Sequence, residues 1–98
     1  MAKRIEWSKK AIRELSHTIK YLKSEVSLTS AERFVELIKQ RIDQVEQYPT
    51  MGRKAPRHKT VRFILVGKNH RLYYRVNGSI LFITALFDTR QSPDKRPY

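Results

Sequence analysis

Two largely apolar runs, in which side chains alternate in character, flank the dipeptide Asn77-Gly78 in the second half of the chain. Asparagine and glycine both tolerate positive φ, which a two-residue type I′ turn requires at its two central positions. If Val76 and Ser79 close this turn, Tyr74 lies opposite Leu81 and its neighbours pair in the same register. The pattern therefore predicts a β-hairpin within the stretch 61–90.

Alternation along the two strands gives the hairpin two different faces. One face is apolar and is predicted to pack in the core; it consists of Leu72, Tyr74, Leu81 and Ile83. The other face mixes arginines with aromatic rings; it consists of Arg71, Tyr73, Arg75, Phe82 and Thr84. A surface of this composition can grip phosphates or a partner chain.

The first half of the chain carries the spacing of two amphipathic helices. Residues 3–7 alternate as an edge strand, after which Ser8 offers an N-cap for a helix that reaches about Ser24. A capping box at Thr29-Ser30-Ala31-Glu32 predicts the start of a second helix, which ends at Tyr48-Pro49 because proline disfavours helix in the residue before it. The short connection makes the helices an antiparallel pair.

Residues 49–59 are predicted to form a loop from their prolines and glycine, and Val61–Val66 to form an interior strand. If Val66 pairs with Arg71, then Arg62 lies opposite Arg75, a like-charge contact that favours a bound anion. The predicted fold is α+β: an N-terminal edge strand, an antiparallel two-helix hairpin and a three-stranded antiparallel meander in one twisted sheet. With 98 residues this is a single domain, 1–98.

Charge divides the chain unevenly. Residues 1–49 hold ten Lys/Arg and seven Asp/Glu, whereas residues 50–98 hold eleven and two, so +9 of the formal +12 falls on the sheet half. Such a field attracts nucleic acid, an acidic protein or anionic lipid. The basic residues predicted to contact a nucleic acid or anionic partner are Arg53, Lys54, Arg57, Lys59, Arg62, Arg71, Arg75 and Arg90.

Several classes of site have no motif in this chain. It has no cysteine, no phosphate-binding glycine loop, no nucleophile elbow and no paired-histidine metal spacing, so neither a metal nor a cofactor is expected. The absence of cysteine fits a reducing cytoplasm, and no apolar run approaches a membrane span. Two chemistries stay open: metal-independent catalysis by Arg, Lys, His or Tyr, and binding without catalysis.

The order of elements resembles the RelE/ParE superfamily of bacterial type II toxins. W-S-x-x-A at Trp7 to Ala11 and P-T-M-G at Pro49 to Gly52 are similar to ParE-type members, whereas H-R-L-Y-Y at His70 to Tyr74 is similar to the RelE and YoeB type. The resemblance implies a cytoplasmic, growth-inhibiting toxin, associated with plasmid stabilisation and neutralised by a cognate antitoxin. We expect that antitoxin to be acidic and to cover the helix hairpin and the basic face.

The resemblance implies two alternative targets. ParE-like members poison DNA gyrase; RelE-like members cut messenger RNA on the ribosome. For RNA cleavage the matching positions are Arg62, Arg71 and Arg90, with His70, Lys54 or Lys59 to move protons. Ile64 replaces a further lysine, and no histidine or tyrosine follows the last strand at the expected offset unless Tyr98 serves. The incomplete set favours gyrase, with the endonuclease as the alternative and a non-toxic binder as a third possibility.

Overall fold

Five strands form one mixed sheet, and two helices pack on one of its faces. The computed structural model describes residues 4–98; Lys3, at the start of the predicted first strand, lies outside them. The elements in chain order are β1 (Arg4–Trp7), α1 (Lys9–Glu25), α2 (Leu28–Gln47), β2 (Arg53–Ala55), β3 (His58–Val66), β4 (His70–Asn77), β5 (Ile80–Asp88) and a short 3-10 helix (Pro93–Lys95). The sheet order is β1-β5-β4-β3-β2, with β1 parallel to β5 and the other neighbours antiparallel. The predicted α+β fold is confirmed.

The helix termini follow local capping chemistry. The Ser8 hydroxyl accepts a hydrogen bond from the Ala11 N–H at 3.0 Å, so the predicted cap of α1 is confirmed. The start predicted for α2 is wrong: Ser27 is its N-cap and accepts from the Ser30 N–H at 3.0 Å. The Val26 and Ser27 N–H groups both donate to the Leu22 carbonyl, which ends α1. Ser27 then has an extended backbone and caps α2 two residues before Thr29.

The predicted loop 49–59 contains an additional edge strand, β2. Arg53 pairs with Phe63 and Lys54 with Arg62, and a bulge follows between Lys54 and Ala55. Three residues are too few to show alternation in the sequence. Strand β3 is also longer than predicted, since it begins at His58, which pairs with Ala55 of β2.

The β4–β5 hairpin turns at Gly78-Ser79, because Asn77 pairs with Ile80. Gly78 has φ +59, and no non-glycine residue among 4–98 has positive φ, as in a II′-like turn with a single left-handed position. The pairing predicted for this hairpin is therefore wrong by two residues as far as Tyr74, which lies opposite Ile83, and by three residues beyond a bulge between Tyr73 and Tyr74. A shift of two is even, and the bulge absorbs the further residue at Thr84, so the predicted core residues keep their face.

Both faces of the sheet are packed. The helix-side core contains Leu72, Tyr74, Leu81 and Ile83, as predicted. The outer face carries a second cluster, which we call the outer cluster; it consists of Ala55, Val61, Phe63, Tyr73, Ala85 and Phe87, with Tyr98 packed against it. Tyr73 is completely buried there. No helix within residues 4–98 has the length and apolar character needed to cross a membrane.

Candidate functional site

Two arginines on the outer face of the sheet are held over aromatic rings. The Cζ atom of Arg71 lies 4.2 Å from the ring centroid of Phe63, and that of Arg75 lies 4.3 Å from the centroid of Phe82. Cation–π contacts of this kind fix the position of a guanidinium while its N–H edges stay accessible. Neither arginine forms an ion pair with a described residue. These cations are therefore free to meet an anion on a partner.

The C-terminal residue covers part of this face. The Tyr98 ring lies 5.3 Å from the Tyr73 ring and 5.1 Å from the His58 ring, centroid to centroid. Arg71 also donates to the Tyr73 hydroxyl at 3.4 Å. Because Tyr73 is buried and Tyr98 packs on it, the free ring surface that a nucleobase would need for stacking is reduced here.

The other residues of the predicted basic surface lie in different parts of the sheet and its connections. Arg53 shares the outer face with Arg71 and Arg75, since it pairs directly with Phe63. Lys54 points to the opposite face with Arg62, while Arg57 and Lys59 are exposed at the β2–β3 connection. We use the term basic outer face for Arg53, Arg71 and Arg75.

Arg62 lies on the helix side of the sheet. Val66 pairs with His70, so the connecting loop has three residues and Arg62 faces Tyr74. The predicted contact between Arg62 and Arg75, and the placement of Arg62 on the face of Arg71, are therefore wrong: a change of one residue in loop length exchanges the faces of a strand.

The guanidinium of Arg62 fastens the turn Pro49–Gly52 to the sheet. Its Nη1 donates to the Gly52 carbonyl at 2.7 Å and to the Thr50 carbonyl at 3.2 Å. Beside it, the Tyr74 hydroxyl donates to the Pro49 carbonyl at 2.7 Å and accepts from the Gly52 N–H at 3.0 Å. Burial raises the pKa of Tyr74, opposed by the Gly52 hydrogen bond and the charge of Arg62. The P-T-M-G motif is thus a turn held by two side chains from the sheet.

His70 and Arg90 line a cavity of about 570 Å³ between α1 and the end of the sheet, together with His17, Tyr21 and Asp88. Arg90 binds the Asp88 carboxylate twice, with Nη2–Oδ2 at 2.7 Å and Nε–Oδ1 at 3.0 Å. That hydrogen bonding is the main reason why the pKa of Asp88 is lowered. The helical spacing of His17 and Tyr21 gives no sign that a cavity lies beside them, so neither residue could be assigned to it from the sequence.

The His70 ring is buried edge-on against Phe34, with centroids 4.9 Å apart. Burial lowers its pKa, and the neighbouring Asp88 carboxylate only partly opposes this. A buried imidazole of lowered pKa is neutral at pH 7.

The four residues predicted for RNA cleavage therefore fall into three places. Arg71 is on the outer face, Arg62 is at the Pro49–Gly52 turn, and His70 and Arg90 are in the α1 cavity. Within residues 4–98, no three side chains of the metal-binding types come together. The arrangement offers fixed surface cations for binding rather than one centre where charges and a proton carrier meet.

The two helices on one face of the five-stranded sheet, and the cations on its other face, define a small α+β protein with a basic outer face. The family model described as "ParE toxin of type II toxin-antitoxin system, parDE" matches residues 5–93, so the chain belongs to this family. No curated protein matches the chain at a significant level.

Three solved structures share the fold at low sequence identity. A protein of the chromosomal ParDE system of P. aeruginosa has a TM-score of 0.73 at 18% identity, covering 88% of this chain and 95% of that one. A YoeB/ParE toxin from Agrobacterium tumefaciens has a TM-score of 0.67 at 17% identity, with coverages of 87% and 96%. The isolated E. coli RelE toxin has a TM-score of 0.63 at 17% identity, with coverages of 95% and 90%. These likenesses show the fold, and they include both ParE and RelE toxins.

Proposed function

We propose that this type II toxin stops bacterial growth by binding DNA gyrase and not by cutting messenger RNA. The observation that carries the proposal is the separation of Arg62, Arg71 and Arg90. Metal-independent cleavage needs cations and a proton carrier within hydrogen-bond reach of one phosphate. Here Arg62 is committed to two backbone carbonyls and Arg90 to Asp88, so neither guanidinium is directed at a phosphate beside Arg71.

The basic outer face supports a binding role. Arg71 and Arg75 are fixed on aromatic rings, so little side-chain entropy is lost when they meet an anionic group. The excess positive charge of residues 50–98 would speed association with an acidic protein surface or with protein-bound DNA.

A cognate antitoxin is the second partner of the proposal. We expect an acidic protein that covers both the helix hairpin and the basic outer face. The hairpin side is suited to an apolar contact: Ile12, Val26 and Leu28 are each more than half exposed, and a groove of about 480 Å³ runs between β1 and the helices. Affinity should fall as salt is raised, because part of the attraction is between exposed charges. An affinity independent of salt would contradict this part of the proposal.

Two assays on the purified toxin separate the targets. In the first, gyrase supercoils plasmid DNA with and without toxin, and trapped double-strand breaks are measured; we expect lost supercoiling and accumulated breaks. In the second, a translating extract is programmed with one message and its 5′ ends are mapped; we expect unaltered ends. New ends within translated codons, together with unaffected gyrase, would overturn the proposal in favour of the endonuclease.

Arg71→Ala adds a test at residue level. If the alternative were true, this variant would lose RNA cutting, since Arg71 is the predicted cleavage residue with a guanidinium on the outer face. Under the gyrase proposal it weakens inhibition in a salt-dependent way without creating or removing RNA ends. Lys20→Ala is the matched control, because it removes one exposed charge from α1, away from this face.

A further inference from the structure

The cavity beside α1 exists because β5 continues beyond the strand that pairs with it on that side. The pairing of β1 with β5 ends at Ile83, whereas β5 extends to Asp88. Helix α1 lies along the remaining edge, where Glu14 Oε1 accepts from the Leu86 N–H at 2.9 Å. A helix with its side chains is about 10 Å wide, whereas paired strands lie about 4.8 Å apart, so α1 cannot close against the edge as a strand would. The space left, about 570 Å³, has the size of a small-molecule site.

One row of polar side chains on α1 lines this cavity at intervals of four residues: Arg13, His17 and Tyr21. Residues spaced by four lie one above another on a helix, and at 1.5 Å per residue the row spans about 12 Å. None of the three side chains forms an ion pair or a hydrogen bond with a described residue. The row therefore presents three hydrogen-bond donors that the fold itself does not use.

The carboxylates that line the cavity, Glu14 and Asp88, are already paired. Glu14 Oε2 accepts from Lys10 Nζ at 2.8 Å, and Asp88 binds the Arg90 guanidinium through both of its oxygens. Arg13 is thus a cation without a carboxylate from the described residues. A guanidinium fork matches the oxygens of a phosphate group bidentately. An anion that enters the cavity would find this fork without an unpaired carboxylate to repel it.

The other end of the cavity can hold a planar ring. Tyr21 is 48% exposed and lies close enough to Arg90 to interact with its charge. The two hydrogen bonds to Asp88 fix the plane of the Arg90 guanidinium, and both a phenol ring and a guanidinium stack on aromatic faces. Leu22 and Leu86 add apolar wall. A ligand with an aromatic ring would therefore find stacking and apolar contacts at this end.

We propose that this cavity binds a small phosphorylated molecule with a planar aromatic ring, of the size of a nucleoside monophosphate. The phosphate binds the Arg13 guanidinium, His17 donates a hydrogen bond to a phosphate oxygen, and the ring stacks between Tyr21 and Arg90. A single phosphate is favoured over a longer strand, because Arg90 is committed to Asp88 and leaves Arg13 as the guanidinium available for a phosphate.

The site is separate from the surface on which the proposed function depends. The cavity lies beside α1, on the helix side, whereas Arg71 and Arg75 are fixed over rings on the outer face. The inference therefore rests neither on gyrase as the target nor on the antitoxin, and failure of one proposal would leave the other standing.

The test is an NMR titration of the ¹⁵N-labelled full chain with adenosine 5′-monophosphate, adenosine and inorganic phosphate. We expect the monophosphate to shift the amides of His17, Tyr21 and Arg90, and adenosine or phosphate alone to bind at least about tenfold more weakly, since each lacks one half of the ligand. Failure of the monophosphate to shift these amides at millimolar concentration would overturn the proposal.

Two variants, each with a matched control, test the two ends of the cavity. Arg13→Gln and Tyr21→Ala should each weaken binding of the monophosphate about tenfold, the effect of losing a charge-assisted contact or a stacking surface. Lys23→Gln removes an equal charge from the side of α1 that faces α2, and Tyr48→Ala removes an exposed ring beside the Pro49–Gly52 turn, so both should leave binding unchanged. The amide spectrum of each variant shows directly whether it is folded.

The remaining outcomes concern the identity of the ligand. Adenosine that binds as tightly as the monophosphate would overturn the role of Arg13, and inorganic phosphate that does so would overturn the stacking of a ring. Shifts confined to Arg71 and Arg75 would place the nucleotide on the basic outer face and overturn the site. A 5′-phosphorylated hexaadenylate that shifts the cavity amides at lower concentration than the monophosphate would overturn the choice of a small molecule.

Discussion

Replacing Tyr74 by phenylalanine removes one oxygen atom that joins the sheet to the Pro49–Gly52 turn. The hydroxyl donates to the Pro49 carbonyl at 2.7 Å and accepts from the Gly52 N–H at 3.0 Å. Gly52 is buried, so its N–H loses its acceptor without gaining water. Leaving a buried group unpaired costs roughly 1–3 kcal/mol. Since Phe itself buries well, we expect Tyr74→Phe to lower the free energy of unfolding by about 2 kcal/mol.

The measurement is equilibrium urea unfolding of the purified toxin, followed by circular dichroism. The midpoint should fall while the slope stays constant, because the surface exposed on unfolding is nearly unchanged. For a domain of this size, a loss of about 2 kcal/mol corresponds to a melting temperature lower by roughly 10 °C. Tyr48→Phe, at an exposed tyrosine beside the same turn, is the matched control and should have almost no effect. A Tyr74→Phe variant whose free energy of unfolding lies within about 0.5 kcal/mol of the wild-type value would refute the role of the hydroxyl in holding the turn to the sheet.

Three further predictions concern the turn, the hairpin and His70. Gly52→Ala should destabilise the protein more than Gly78→Ala, because an added Cβ at Gly52 would lie 2.5 Å from Tyr74 Oη and 2.9 Å from the Phe63 carbonyl oxygen. At Gly78 an added Cβ meets nothing within 4 Å, so the substitution costs only the strain of the left-handed backbone, about 1 kcal/mol. Equal urea midpoints for the two variants would contradict this prediction. Arg62→Gln should lower the unfolding free energy by about 1 kcal/mol, yet growth inhibition by the folded fraction should persist. Loss of growth inhibition in fully folded protein would contradict the structural role. Burial lowers the pKa of His70 below its usual 6.5, so the unfolded state binds the proton more readily than the folded state. The unfolding free energy should therefore fall as the pH is lowered from about 7.5 to about 5.5. His70→Phe should reduce this fall, and a pH dependence unchanged in the variant would contradict the prediction. Asp88 does not confuse that measurement, since its pKa is lowered from 3.8 and it stays ionised in this range.

The helices and the core face could be predicted because each depends on local chemistry or on parity. Ser8 caps α1 from its own side chain, and the apolar face of the hairpin withstood an error of two residues in register. The start of α2 could not be placed correctly, since Ser27 and Thr29 both offer capping hydroxyls. The hydrogen bonds from the Val26 and Ser27 N–H groups to the Leu22 carbonyl, which end α1, make Ser27 the N-cap.

The position of Arg62 shows the limit of sequence reasoning. Its face depends on whether the β3–β4 loop has three or four residues, and Gly67-Lys68-Asn69-His70 allowed either. The structure pairs His70 with Val66, and Gly67, at φ +63, supplies the left-handed position in the turn. That single residue of register removes Arg62 from the outer face and gives it to the Pro49–Gly52 turn.

Formal charge alone overstates what the sheet half offers to a partner. Arg62 donates to backbone carbonyls and Arg90 to Asp88, so both already have acceptors that a ligand would have to replace. Arg53, Arg71 and Arg75 keep their charge at the surface without a carboxylate from the described residues. Neutralising Arg71 and Arg75 should therefore remove more of the salt dependence of partner binding than neutralising Arg62 and Arg90, although each pair contributes the same +2 to the formal charge of +12. The register of the sheet, which decides which arginines find an acceptor within the fold, thereby determines which of them are available to a partner.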